Sequence, residues 1–323
     1  MGLITRIKFD NGVKNINHSQ FADNTLLIGG ASNIIARRFK TLLDNYMSYS
    51  RGLIYYLKSC IYGWNTSAHV LHRIARTLGV PCKLNWEQFT YLGMHVSVGN
   101  LKATAWEVII DKMKRKIQHW GTSWLNPAGH IILLKAGLSS LPLYCFTLLQ
   151  APTNFHFKMD ALLHHFLWQG GRNEKKKYNL VSWKQVTQPC QNGGLGIRSS
   201  KFLNLAFAGK LVWRLITGRN AWWKTVLEKK YLNHPRHQLL DHELPNRACS
   251  KIWRMCKQAI PFLDQNTSKV PKGGSYIRIG EDKIMGQQPI SQRPGTQQIL
   301  ALFSSAGIQT LAQISQWEAH SHT

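Results

Sequence analysis

Apolar residues follow two rhythms along the chain, and the change falls near residue 104. Upstream, apolar and polar positions alternate over short stretches, which is the period of a strand. His18 to Ile28 gives two such stretches around Asp23-Asn24, a pair that tolerates left-handed backbone and so predicts a hairpin turn. Leu3 to Val13 alternates around the turn signal Asp10-Asn11-Gly12. Tyr55 to Cys60 reads as a strand, and Phe89 to Met94, with Gly93, predicts a second hairpin. Helices intervene. Ser32 is placed to cap one carrying Ile35, Phe39, Leu42, Leu43 and Tyr46 at helical spacing, and Val70, Leu71, Ile74 and Ala75 mark another.

Downstream the period becomes helical. Trp106, Ile109, Ile110, Met113, Ile117 and Trp120 fall on one stripe, with Lys112, Lys114, Arg115 and Lys116 on the other faces. Leu125 to Gly129 punctuates, Ile131 to Leu138 forms the next helix, and Pro142 ends it. Phe155, Met159, Leu162, Leu163 and Phe166 give a third stripe, and Asn204 to Arg214 is helical again. Trp120, Trp168 and Trp213 sit on such stripes and are expected in the core. Gly273 to Asp282 reads as a last hairpin, before a tail rich in Gln, Ser and Pro. The pattern predicts an α+β fold in three parts: residues 1–103, a helical region over 104–270, and a short hairpin with a polar tail over 271–323. Ile131 to Leu149 is the most apolar run, but Lys135, Ser139-Ser140 and Pro142 interrupt it, so a buried helix and turn is expected rather than a membrane span.

Charge then narrows the partners. The 323 residues hold 41 Lys and Arg against 15 acids, a net charge of +26. Such an excess implies a polyanionic partner, of which nucleic acid is the commonest. Residues 112–240 alone contain twenty Lys and Arg and three acids, interleaved with Trp and Tyr. That mixture suits phosphate contacts combined with stacking of bases. Lys112, Lys116 and the glycine-flanked loop Lys175-Lys176-Lys177 are the candidate phosphate contacts. The six cysteines are scattered with no Cys-x-x-Cys, which fits free thiols in a reducing compartment. With no apolar leader opening the sequence, an intracellular site is expected: the nucleus, or an organelle such as the mitochondrion.

Phe21-Ala22-Asp23-Asn24-Thr25-Leu26-Leu27 resembles the catalytic hairpin of reverse transcriptases of non-LTR (LINE-type) retrotransposons in their plant form, where the turn reads Phe-Ala-Asp-Asp. Further similarity comes in order along the chain. Lys58-Ser59 matches the family's Lys-Ser element, and Tyr91-Leu92-Gly93 its primer-grip hairpin, with His95 where the family has Pro. Trp120, Ala128-Gly129, Lys135, Leu141-Pro142, Tyr144 and Phe166-Leu167-Trp168 match the thumb and the region after it. Val181-Ser182-Trp183, Pro189, Gly193-Gly194-Leu195-Gly196-Ile197 and Asn204-Leu205-Ala206 continue the likeness, which covers most of residues 18–284. The Gly-Gly-Leu-Gly stretch lacks a phosphate-loop context and reads as a turn.

The resemblance implies the end of a polymerase palm followed by a thumb-like helical region. It implies an RNA-directed DNA polymerase with Asp23 and Asn24 at the catalytic turn, Lys58 near the triphosphate, and Mg²⁺ on Asp23. In the family a fingers-and-palm region precedes this hairpin and supplies another metal-binding Asp, whereas about twenty residues precede it here. Asn24 is neutral and a much weaker ligand for a hard cation than Asp. The expectation is therefore a truncated reverse transcriptase-like protein, inactive alone but still binding RNA and DNA as an RNA–DNA duplex. The alternative is a co-opted, non-catalytic nucleic-acid-binding or maturase-like protein.

Overall fold

A computed structural model describes residues 17–97, 103–120, 125–170, 179–217, 221–232, 234, 239–240, 249–270, 277–284 and 288–314. The fold is α+β, with helices dominating and three small two-stranded sheets among the described residues. The chain divides into two units, Met1–Arg115 with Asn220–Lys230, and Lys116–Arg219 with Tyr231–Thr323.

The first unit opens with strands β1 (His18–Phe21) and β2 (Asn24–Leu27), paired antiparallel with Phe21 opposite Asn24. The tight turn is therefore Ala22-Asp23, one residue earlier than the sequence suggests. Ala22 takes the left-handed φ of 51° on which the turn depends. Helix α1 (Asn33–Ser50) begins where Ser32 predicts it, the Ser32 hydroxyl accepting from Ile35 N–H at 3.3 Å. Only the first part of its apolar stripe is covered: Phe39 is buried, while Leu42 and Tyr46 are exposed. The helix packs on α2 (Ala68–Leu78) through Ala36, Phe39, Leu71 and Ile74. Thr77 Oγ1 donates to Asn33 Oδ1 at 2.7 Å and pins the two helices together.

The predicted strand at Tyr55 to Cys60 is instead a 3₁₀ turn over Tyr56–Lys58, followed by β3 (Ile61–Tyr62), which pairs in parallel with β4 (Cys82–Lys83). A parallel pair needs a crossover, and α2 supplies it. The second hairpin forms as predicted from β5 (Gln88–Tyr91) and β6 (Met94–Ser97). Tyr62, Trp86 and Phe89 join these elements: Tyr62 and Phe89 stack at 4.4 Å, and Trp86 meets both edge-on. Helix α3 (Ala103–Trp120) buries Trp106, Ile109, Ile110, Met113 and Ile117, the stripe read from the sequence.

The second unit is helical: α4 (Pro127–Leu133), a π-helical turn over Leu134–Leu138, α5 (Leu143–Phe146), α6 (Thr153–Gln169), α7 (Trp183–Val186) and α8 (Ser200–Thr217). Helix α9 (Trp222–Tyr231) ends at the unit boundary, and α10 (Lys251–Asn266) and α11 (Gln297–Ser305) come after it. Helix α8 is the hub, packing on α5, α6 and α10. Leu134, Leu138, Phe146, Met159, Leu163, Phe166, Val212, Leu215 and Cys256 are completely buried around it. Gly137 lets the π-helical turn close on Trp120, since a Cβ there would lie 2.5 Å from the indole. Part of the hairpin expected at Gly273 to Asp282 lies outside the described residues; among those described, Arg278 bridges antiparallel to Thr310, far along the chain. The strand expected at Leu3 to Val13 lies outside the described residues.

Candidate functional site

The two motif-bearing hairpins meet. Tyr91, the last residue of β5, donates its hydroxyl to the Ser19 carbonyl of β1 at 3.4 Å, so the primer-grip-like turn stands against the hairpin of Asp23. Both turns hold residues at positive φ. Leu92 and Gly93 sit at 50° and 76°, a two-residue turn left-handed throughout, which matches the twist of the strands it joins. Glycine meets that demand without strain, but Leu92 and Ala22 do not, and each stores about 1–2 kcal/mol in a conformation costly for an L-residue.

At the tip of the first hairpin the donor set can be read directly. Asp23 is exposed, and Asn24 Nδ2 donates to Asp23 Oδ1 at 3.1 Å. An amide N–H thus faces the carboxylate where a second acceptor oxygen would be needed to share a cation. Hard divalent cations want six or more oxygen donors, usually including carboxylates. No group of three or more potential metal-ligating side chains forms among the described residues. One carboxylate with an inward-pointing amide does not fit the two-metal arrangement that the resemblance implies.

Lys58 closes the 3₁₀ turn rather than lying on a strand, and its ammonium sits over the Tyr55 ring at 5.1 Å. The turn itself is anchored by a network not evident in the sequence. Lys40 Nζ donates to Tyr56 Oη at 3.2 Å and pairs with Asp44 at the same distance. Those two partners, the phenol first, raise the Lys40 pKa above its ordinary value.

Lys112 and Lys116 lie one turn apart on α3. Lys112 is exposed, while Lys116 is half-buried with its ammonium over the Trp120 ring at 5.3 Å. Lys175, Lys176 and Lys177 lie outside the described residues. Trp213, expected in the core, stands 47% exposed on α8, because the buried face of that helix runs through Leu203, Asn204, Ala208, Val212 and Leu215.

The Gly-Gly-Leu-Gly stretch is a folded turn. Every N–H from Gly193 to Gly196 is bonded to a backbone carbonyl between Val186 and Cys190. A Cβ on Gly194 would come 2.0 Å from the Gln188 carbonyl oxygen, so glycine is required there by close approach. With its donors already used, the turn offers no cradle for a phosphate.

A side-chain cluster that sequence reasoning missed ties α6 to the start of α8. Ser200 Oγ is 3.0 Å from His156 Nδ1, while Asp160 accepts from Ser200 N–H and Ser199 Oγ–H, both at 3.1 Å. Although this joins a hydroxyl to an imidazole, Ser200 is wholly buried and no substrate can reach it. The cluster caps α8, and burial lowers the His156 pKa below its ordinary value.

No protein-family model matches the chain. It is 32% identical over 185 residues to an Arabidopsis thaliana protein named "Putative ribonuclease H protein", a match covering 56% of this chain and 29% of that protein. The chain therefore spans less than a third of that relative's length. It is also 22% identical over 153 residues to an "Uncharacterized mitochondrial protein" of the same plant, covering 47% of this chain and 97% of that one.

Proposed function

We propose that the chain is a retrotransposon-derived, reverse transcriptase-like polypeptide that binds nucleic acid without polymerising it. The observation that carries the reading is the net charge of +26, concentrated in the helical region, where electrostatics favours a polyanion whatever its sequence. The order of motifs from the Asp23 hairpin to Asn204, and the similarity to a plant protein named for ribonuclease H, support the descent. RNA and DNA, paired as a hybrid duplex, are the proposed partners.

Catalysis is not expected, on the chemistry of the donors. Asp23 supplies one carboxylate, and Asn24 turns an N–H toward it. A two-metal polymerase needs several carboxylates to hold its ions. Purified protein with Mg²⁺, primer–template and nucleotides should extend no primer, and Asn24→Asp alone should not restore extension. Extension that Asp23→Ala abolishes would refute this. Binding is tested on an RNA–DNA duplex from low to moderate salt. Affinity should fall steeply, and replacing Lys175, Lys176 and Lys177 together with Ala should lower the log–log slope by at most about three, near one for each phosphate released. Salt-independent affinity would sink the binding reading.

One observation favours a second reading, that of a co-opted, maturase-like nucleic-acid-binding protein. The match spans almost the whole of the mitochondrial relative, so a stretch similar to just under half of this chain makes up nearly all of that protein. Crosslinking of the chain to organellar transcripts in plant cells would favour this reading, and exclusion of the chain from organelles would remove it.

A further inference from the structure

Helix α8 faces inward with Leu203, Asn204, Ala208, Val212 and Leu215, and its outer face has an unusual composition. Phe202, Ala206, Lys210, Trp213 and Thr217 succeed one another at spacings of four, four, three and four residues, so they share one side of the helix. All five are exposed, Phe202 to 69% and Trp213 to 47%. Arg214 borders them and is exposed. The helix contains no acid at all. A water-facing helix surface ordinarily mixes both signs of charge and keeps large aromatics inside. This one offers two aromatic rings and two cations.

From these residues we infer that the outer face of α8 is a stacking platform for a single strand of nucleic acid. The inference rests on the charge-driven binding proposed above and adds to the duplex a surface for an unpaired strand. Eleven residues separate Phe202 from Trp213, about 16 Å of helix at 1.5 Å per residue. At about 3.4 Å per nucleotide along a strand, that distance spans four to five nucleotides, within the range that one binding module engages. The rings take the flat faces of unpaired bases. Lys210 and Arg214 lie beside them to meet the phosphates. Every base has a flat face to stack, so the platform is indifferent to sequence. A duplex keeps its base faces stacked inside and gives the rings nothing to cover, so a single strand is the fitting occupant.

The experiment measures fluorescence anisotropy of labelled dT10, U10 and a ten-base-pair duplex with the full chain and its variants. Phe202→Ala with Trp213→Ala should lower affinity for both single strands at least tenfold at fixed salt, leaving the salt slope and the duplex affinity unchanged. Stacking on each ring supports a loss of that size. Lys210→Ala with Arg214→Ala should instead reduce the single-strand slope by about 1.4, near 0.7 per phosphate. Trp213→Phe should bind within threefold of the parent, and Trp213→Leu should lose affinity as Trp213→Ala alone does, which separates stacking from greasy packing and from misfolding. A difference between dT10 and U10 in the aromatic loss would assign the platform to one of the two strands. An unchanged single-strand affinity in the double aromatic variant, an equal loss on the duplex, or full binding by Trp213→Leu would overturn the inference while leaving the charge-driven binding intact. Failure of the parent chain to bind any of the three probes would remove both.

Discussion

Asn204 is where a single side chain should matter most to the helical unit. It is 4% exposed and makes three hydrogen bonds at once: Oδ1 accepts from Ala151 N–H at 2.9 Å, and Nδ2 donates to the carbonyls of Leu149 at 3.1 Å and Phe146 at 3.3 Å. The segment after α5 ends there with backbone groups that no helix satisfies, and Asn204 satisfies them from α8. Asn204→Ala removes all three bonds and leaves a buried N–H without its acceptor. At about 1 kcal/mol net for each bond, the loss should be about 3 kcal/mol. For a unit of this size that corresponds to a fall in melting temperature of roughly 6–12 °C. Thermal unfolding followed by the helical circular dichroism signal measures it, with Lys210→Ala on the outer face of the same helix as the control, expected within about 0.5 kcal/mol of the parent. Asn204→Asp sharpens the test. It keeps an acceptor for Ala151 but sets a charge against two carbonyl oxygens, so at pH 8 it should be no more stable than the alanine variant. An Asn204→Ala protein melting with the control, or an Asp variant melting above the Ala variant, would refute this account of α8 anchoring.

Other expectations can be checked on the same protein. Gly194→Ala should be far more damaging than Gly193→Ala, since the first drives a Cβ into the Gln188 carbonyl, while the second has open space and costs about 1 kcal/mol of left-handed strain; melting temperatures compare the two directly. Burial depresses the His156 pKa, so the unfolded chain binds more protons than the folded one as pH drops below about 6.5. The stability this group contributes is present above that value and declines as pH falls toward the folded pKa, and His156→Gln should flatten the decline. Burial pushes the Cys256 thiol up to about 12, so in the native state alkylation should reach exposed Cys190 and spare Cys256. In limited proteolysis the unit with three two-stranded sheets should be cut before the helical one, because isolated hairpins are marginal on their own.

Helical periodicity made most of the core legible. The stripes on α3 and α6 are buried as spacing predicts, except that Trp120 and Leu162 are half-buried, and Ser32 caps α1 as its chemistry predicts. Legibility ended where the outcome depended on what lies across from a residue. Spacing places Trp213 on a stripe, but it cannot say which arc of a helix with apolar residues on every side faces inward. Leu42 and Tyr46 likewise continue the stripe of α1 past the point where α2 covers it. The turn falls at Ala22-Asp23 because strand register, set by Phe21 opposite Asn24, decides which pair is central, whereas turn propensity alone reads Asp-Asn. Asn204 matches a motif in sequence, yet its three bonds depend on a segment more than fifty residues away.

Ala22 and Asn24 flank Asp23 and bear on it in different ways. The positive φ of Ala22 is a cost in backbone energy that the paired strands on either side hold in place. Such strain persists only where surrounding structure over-determines it, and β1 is braced from outside by Tyr91 through Ser19. Turn geometry and bracing therefore occur in the chain together. The side chain at 24 does not go with them: its amide donates to the very oxygen that a shared cation would need. A hairpin keeps its shape through register and backbone hydrogen bonds, which Asn supports as well as Asp, whereas cation binding depends on charge, which Asn lacks. Shape and charge respond to different constraints at this turn, so Asn24→Asp should change its affinity for a divalent cation while leaving the fold around it intact.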